Sequence, residues 1–186
     1  RMLRELPRPV LPPLPGRIGV DINELVLRGT GLREVRLDAV TNGELWRIEE
    51  FSGRLAGDTT LRLEGTLGRQ AGWPAFDGRL DVSARRLDAL SLLWRRTEEG
   101  NPLFNMPGQL TGDVRMTNGA LRLSNGLFTL DGTSHDIAAH MRFGEQPMLE
   151  IDARLSALDA NRSAALLALL PPFDPGDVSD IELRRP

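Results

Sequence analysis

The feature that most limits how this chain can fold is an alternation of apolar and polar residues with a period of two, cut into short runs by tight-turn residues. In residues 43–68, GELWRIEEFSGRLAGDTTLRLEGTLG, Leu61, Leu63 and Leu67 alternate with Arg62, Glu64 and Thr66. That period puts the apolar residues on one face of an extended strand and the polar ones on the other. Trp46, Ile48 and Leu55 are the apolar residues of the preceding run, and Leu55-Ala56-Gly57-Asp58 ends it with turn residues. The segment therefore reads as strand, bend, turn, strand.

The same grammar recurs on both sides. Ile18, Val20 and Ile22 alternate with Gly19 and Asp21, and Leu25 and Leu27 continue after Asn23-Glu24, where a bulge would shift the phase by one residue. Gly29-Thr30-Gly31 is a turn, Val35, Leu37 and Ala39 form the next face, and Asn42-Gly43 is a hairpin signal. Gly72-Trp73-Pro74 closes the following pair of strands, and Leu80, Val82 and Ala84 begin another face. Further on, Val114 and Met116 lead to Asn118-Gly119, then Leu121, Leu123, Phe128 and Leu130 lead to Asp131-Gly132. Ile137, Ala139, Met141 and Phe143 share one face of the next strand, with His140 and Arg142 on the other, and Leu149, Ile151, Ala153 and Leu155 follow.

Two segments change period. In LDALSLLWRR, Leu87, Leu90, Leu93 and Trp94 recur at helical spacing, with Asp88 as N-cap and Arg95-Arg96 suited to the helix C-terminus. A second helix over residues 161–170 is stopped by Pro171-Pro172. The expected fold class is all-β with two short helices. It would be a long curved antiparallel sheet, or sheets, whose apolar faces either close as a sandwich or leave an open groove. Aromatic residues are only 5% of the chain, fewer than a sandwich core usually carries, which favours the groove.

The halves also resemble one another. GRLDVSARRLDAL (residues 78–90) lies over LEIDARLSALDAN (residues 149–161), so that Asp81 falls on Asp152 and Leu87-Asp88-Ala89 on Leu158-Asp159-Ala160. Upstream, Leu55-Ala56-Gly57 falls on Leu130-Asp131-Gly132. The expected organisation is a Pro-rich linker (1–16), a first β-rich unit ending in a helix (17–100), a second one (101–170) and a polar tail (171–186) in which Val178, Ile181 and Leu183 suit a short edge strand.

Composition excludes several functions. The net charge of −3 gives no electrostatic drive towards nucleic acid. There is no Cys, hence no disulfide or thiolate metal site, and no Lys, hence no Schiff base and no P-loop lysine. The longest apolar run, residues 164–170, is far short of the roughly 18 residues of a membrane span. The opening Arg1-Met2 carries no signal-peptide pattern, and targeting segments are expected outside a sequence that reads as an excised fragment.

Candidate chemistry is sparse. His135-Asp136 has the composition of a base with its orienter, and His135 and His140 with Asp131 or Asp136 would make a metal set. His135 reads as part of a Gly-Thr-Ser-His-Asp turn and His140 as lying on a polar strand face, so structural or solvated roles are expected for both. No GxSxG occurs. Asp81/Arg85, Glu64/Arg62 and Asp113/Arg115 have the spacing of a solvated sheet face with cross-strand pairing, not of paired catalytic carboxylates. Trp94 suits a core, whereas Trp73 and Phe76 are left open as ligand-site residues. The reading is non-enzymatic, with no metal and no cofactor.

The succession of residues 43–68 and GWPAFDGRLDVSARRLDALSLLW (residues 72–94) resembles the AsmA family of bacterial envelope proteins, over roughly residues 16–170. The elements that carry the likeness are residues 55–60, 61–68, 78–84 and 87–94. The resemblance implies a β-rich region in the periplasm, an inner-membrane anchor outside this fragment, and a role in outer-membrane assembly or phospholipid transport. It also implies a curled sheet whose hydrophobic groove takes acyl chains, and it brings no catalytic residues. On that reading Leu61, Leu63, Leu67, Leu80, Val82, Ile151 and Leu155 would shelter the lipid, since an acyl tail needs only a continuous aliphatic surface. The alternative is a structural or protein-interaction domain with a closed core and no lipid.

Overall fold

A computed structural model describes residues 14–27, 30–92, 102–144, 147–156 and 160–169. They form β1 (Pro15–Leu27), β2 (Thr30–Asn42), β3 (Trp46–Leu55), β4 (Thr59–Gln70), β5 (Trp73–Ala84), α1 (Leu87–Ser91), β6 (Gly108–Thr117), β7 (Ala120–Leu130), β8 (Thr133–Arg142), β9 (Met148–Arg154) and α2 (Ala160–Leu169). The nine strands make one antiparallel sheet in chain order, open and uncurled, with β1 and β9 at its edges. The fold is thus all-β with two short helices, as the alternation requires. The sheet is open, as one of the two expected arrangements has it, but the expected curvature is absent: it is uncurled, an open face and not a curled groove, and the described residues contain no second sheet to close a sandwich.

Tight turns make this meander local. Ala71 (φ 50°) and Gly72 (φ 81°) join β4 to β5, and Asp131 (φ 46°) and Gly132 (φ 77°) join β7 to β8. Two successive positive φ values give a two-residue hairpin loop the twist of its strands. Trp73 and Pro74 therefore lie inside β5, not in the turn to which the sequence assigns them. Between β2 and β3 the Asn42 side-chain oxygen accepts the backbone N–H groups of Glu44 and Leu45, at 3.0 and 2.9 Å.

Bulges keep one face apolar along irregular sequence. The β3/β4 register slips between Ile48 and Phe51. On β7 it slips against both neighbours around Asn125 (φ 49°), between Ser124 and Leu127 against β6 and between Leu123 and Gly126 against β8. An extra residue restores the apolar parity that a strict period of two would lose. The phase change expected at Asn23-Glu24 takes a different form. The β1/β2 register runs through without a slip, and the slip falls between β2 and β3 beside Glu34 (φ 51°).

The helices cap one end of the sheet. Ala84, Leu87, Leu90, Leu103, Leu130, Ala165 and Ala168 form a buried cluster there. Ala165 and Ala168, three apart on α2, bring that helix close through small side chains. Asp88 is not the N-cap of α1. That position is Arg86, with no side-chain cap hydrogen bond, and Asp88 lies in the first turn. Its carboxylate instead accepts from the Arg86 guanidinium (2.7 Å) and from the Asn105 backbone N–H (3.3 Å), tying β5, α1 and the following loop together. Leu93, Trp94 and Arg95-Arg96, residues 1–13 of the expected linker and the expected tail over 171–186 lie outside the described residues, while Pro15 and Gly16, assigned to the linker, open β1 instead.

The Arg86 guanidinium holds the Asp88 carboxyl below its ordinary range, against a smaller opposing effect of burial. A depressed folded-state pKa stabilises the fold above the unfolded value near 3.9 and is lost as pH falls through the folded one. Asp88→Asn is expected to cost about 1 kcal/mol at neutral pH, since Arg86 is half exposed and its attraction screened. Urea melts of both proteins should converge as the pH is lowered below about 4.

Candidate functional site

The register places the expected apolar residues of β4 and β5 directly across from each other or from Phe76. Leu61 faces Val82, Leu63 faces Leu80 and Leu67 faces Phe76 on the β4/β5 ladder. The same face continues onto β6 and β7 through Val82–Leu110–Phe128 and Phe76–Met116–Leu121. From there it reaches β8 and β9 through Leu121–Met141–Leu149. Towards β1 it continues through Gly65–Ile48–Ala39–Ile18. Opposed residues of antiparallel strands point to the same side, so this is one continuous aliphatic surface.

Its middle is a second cluster, in which Phe76, Val114 and Leu123 are buried and Ile48, Leu63, Leu67, Leu80, Leu110, Met116, Leu121, Ile137 and Ala139 pack against them half-buried. Neither helix residue joins this cluster; α1 and α2 contribute only to the cluster at the sheet end. The sheet therefore keeps a dry, half-open surface next to a capped one. Glycine shapes it. Gly65 pairs with Gly78 on this face, and Phe76 lies over both, its Cζ 2.9 and 2.5 Å from where their Cβ atoms would be. Gly112 lies under Leu123 in the same way.

Of the seven expected groove residues, Leu61, Leu63, Leu67, Leu80 and Val82 are thus brought together, all half-buried. Ile151 shares the face opposite Ala139 but stands at the β9 edge, 40% exposed. Four strand spacings separate β5 from β9, about 19 Å. Leu155 follows the end of β9 and is exposed.

The opposite face is charged. Arg17 pairs with Glu49 and Arg36 with Asp38, at 2.8 and 2.9 Å, while Arg54 reaches Glu34 at 3.0 Å. Arg62 lies opposite Asp81, and Arg79 between Glu64 and Asp113. Apart from Arg36–Asp38, two residues apart on β2, these are cross-strand pairs of the kind expected from the spacing, and exposed pairs of this kind are each worth little in stability. They keep that face wet.

The histidines are separated by strand geometry. His135, at the start of β8, is 1% exposed, not in a turn and not solvated. It stands opposite Phe128 and two residues before Ile137, on the apolar face. The period of two, run backwards from Met141, Ala139 and Ile137, was the signal that could have found it. Asp136 is adjacent in the strand and so points to the other face, which removes the His-Asp dyad. His140, five residues on, is on the charged face, with its Nδ1 3.5 Å from Glu150. Among the described residues no group of three or more His, Cys, Asp or Glu is placed to hold a metal ion.

His135 Nδ1 accepts the Ser156 backbone N–H at 3.2 Å. The ring proton of the neutral imidazole is then on Nε2, and Nε2 is buried with no hydrogen-bond partner among the described residues. Trp46 Nε1 is in the same condition. A buried donor left unmade costs about 1–3 kcal/mol.

No helix among the described residues is long and apolar enough to cross a membrane. In comparisons with protein-family models, with curated proteins and with solved structures, the chain finds no match.

Proposed function

We propose that this chain is a non-enzymatic segment of an AsmA-like envelope protein, periplasmic and anchored to the inner membrane by a part outside this sequence. Its apolar sheet face shelters the acyl chains of phospholipid during transport to, or assembly of, the outer membrane. The observation that carries this reading is the continuous apolar face from Leu61–Val82 to Met141–Leu149, half-open and backed by an opposite face rich in exposed charge. Acyl chains need apolar area and little directional bonding, and an aliphatic sheet face supplies that. In the same proposal the five strands before α1 and the four before α2 descend from one duplicated unit, as the likeness of residues 78–90 to 149–161 suggests.

Delipidated protein should take up phospholipid in native mass spectrometry as discrete added masses. Protein that remains unloaded at saturating lipid would sink the proposal and favour a structural or protein-interaction role.

A further inference from the structure

One group on the apolar face is out of keeping with it. His135 is a polar side chain between the two hydrophobic clusters, opposite Phe128 of the capped end and two residues from Ile137 of the half-open face. Its Nδ1 is committed to the Ser156 N–H, so its tautomer is set and it presents Nε2–H as a donor. That donor is buried and has no partner among the described residues. A hydrophobic face that only had to pack would be better served by Leu or Phe here, since an apolar residue leaves no donor unmade.

We infer that His135 Nε2–H receives the polar end of the acyl ligand, donating a hydrogen bond to a carboxylate or ester carbonyl oxygen. This rests on the acyl-binding reading of the face and deepens it by fixing where the ligand's oxygen goes. From His135 the chain would run across the strands over Ile137, Leu123, Val114 and Leu80 towards Leu63. The span from β8 to β4 is four strand spacings, about 19 Å, more than the roughly 15 Å that one leaflet of a bilayer core allots to a tail. The face is long enough for one acyl chain laid from that end. Because Nε2 is covered, the side chains around it part to admit the oxygen.

The test compares oleate, methyl oleate and (Z)-9-octadecene, which share an eighteen-carbon chain with a cis double bond at carbon 9 and differ at the oxygen-bearing end, by equilibrium binding to the 186-residue chain. His135→Leu should weaken oleate about tenfold or more and methyl oleate about threefold, and leave octadecene unchanged. His135→Gln, which keeps a donor near the Nε2 position, should recover most of the oleate affinity. Equal binding of all three probes by wild type and His135→Leu would overturn the assignment while leaving the acyl-binding face standing. Failure of wild type to bind any probe would overturn both. Should the Leu variant not fold, the Nε2 resonance of wild-type His135 decides. It should shift with oleate and not with octadecene, and an Nε2 signal unmoved by saturating oleate would overturn the assignment.

Discussion

Gly78→Val should unfold this sheet more readily than any surface substitution, lowering stability by about 3 kcal/mol or more. A Cβ at Gly78 would collide with the Glu64 carbonyl oxygen of the neighbouring strand, and would come within 2.5 Å of Phe76 Cζ and 2.9 Å of Gly65 Cα. Two of these obstacles are backbone, so no rotamer change relieves them. Gly65 adds its own constraint, with φ 153°, a conformation side chains rarely adopt. The two glycines together let Phe76 lie flat on the sheet, and a larger residue would lift it off the cluster of Val114 and Leu123. Thermal melts followed by circular dichroism should show a midpoint lower by roughly 6–12 °C. Gly31→Ala is the control, because nothing lies within 4 Å of its Cβ position, and its midpoint should hardly move.

Leu130→Ala should cost about 3 kcal/mol, within the 2–5 usual for emptying a fully enclosed leucine site. Leu130 ends β7 with no exposure at all and belongs to the cluster formed with α1, α2 and Leu103. It lies where the sheet, the two helices and the loop before β6 converge, and its site is hemmed by residues from all of them, so the cavity would collapse only in part. Leu167 on α2 is 66% exposed, and Leu167→Ala should stay within about 0.5 kcal/mol of wild type. Chemical denaturation of the two variants separates burial from mere helix propensity.

The sheet was legible in the sequence because an antiparallel meander is written locally. Period-two runs such as Leu61, Leu63, Leu67 and turns such as Asp131-Gly132 each specify a strand or a hairpin without knowledge of the rest of the chain. What sequence could not settle was whether the apolar faces would meet. That depends on long-range packing, to which local alternation is blind, and the single sheet decides it. Bulges were harder. Leu123 and Phe128 belong to one face only because Asn125 adopts φ 49°, an event no periodicity announces. His135 was misread because Gly132-Thr133-Ser134 looks like an extended turn, whereas the turn is complete at Asp131-Gly132 and the strand resumes at Thr133. Asp88 was misread as a cap because its value lies in a tertiary contact with Asn105, seventeen residues on.

The central claim is that acyl chains lie on the aliphatic face of β4–β8. A fatty acid carrying a photoreactive diazirine near its methyl end, bound and irradiated, reports this residue by residue through peptide mass spectrometry. The account predicts covalent adducts on Leu63, Leu80, Val114 and their neighbours on that face, displaced by excess unlabelled lipid. Adducts confined to Arg62, Glu64 and Arg79 on the charged face, or no displaceable adducts, would contradict it.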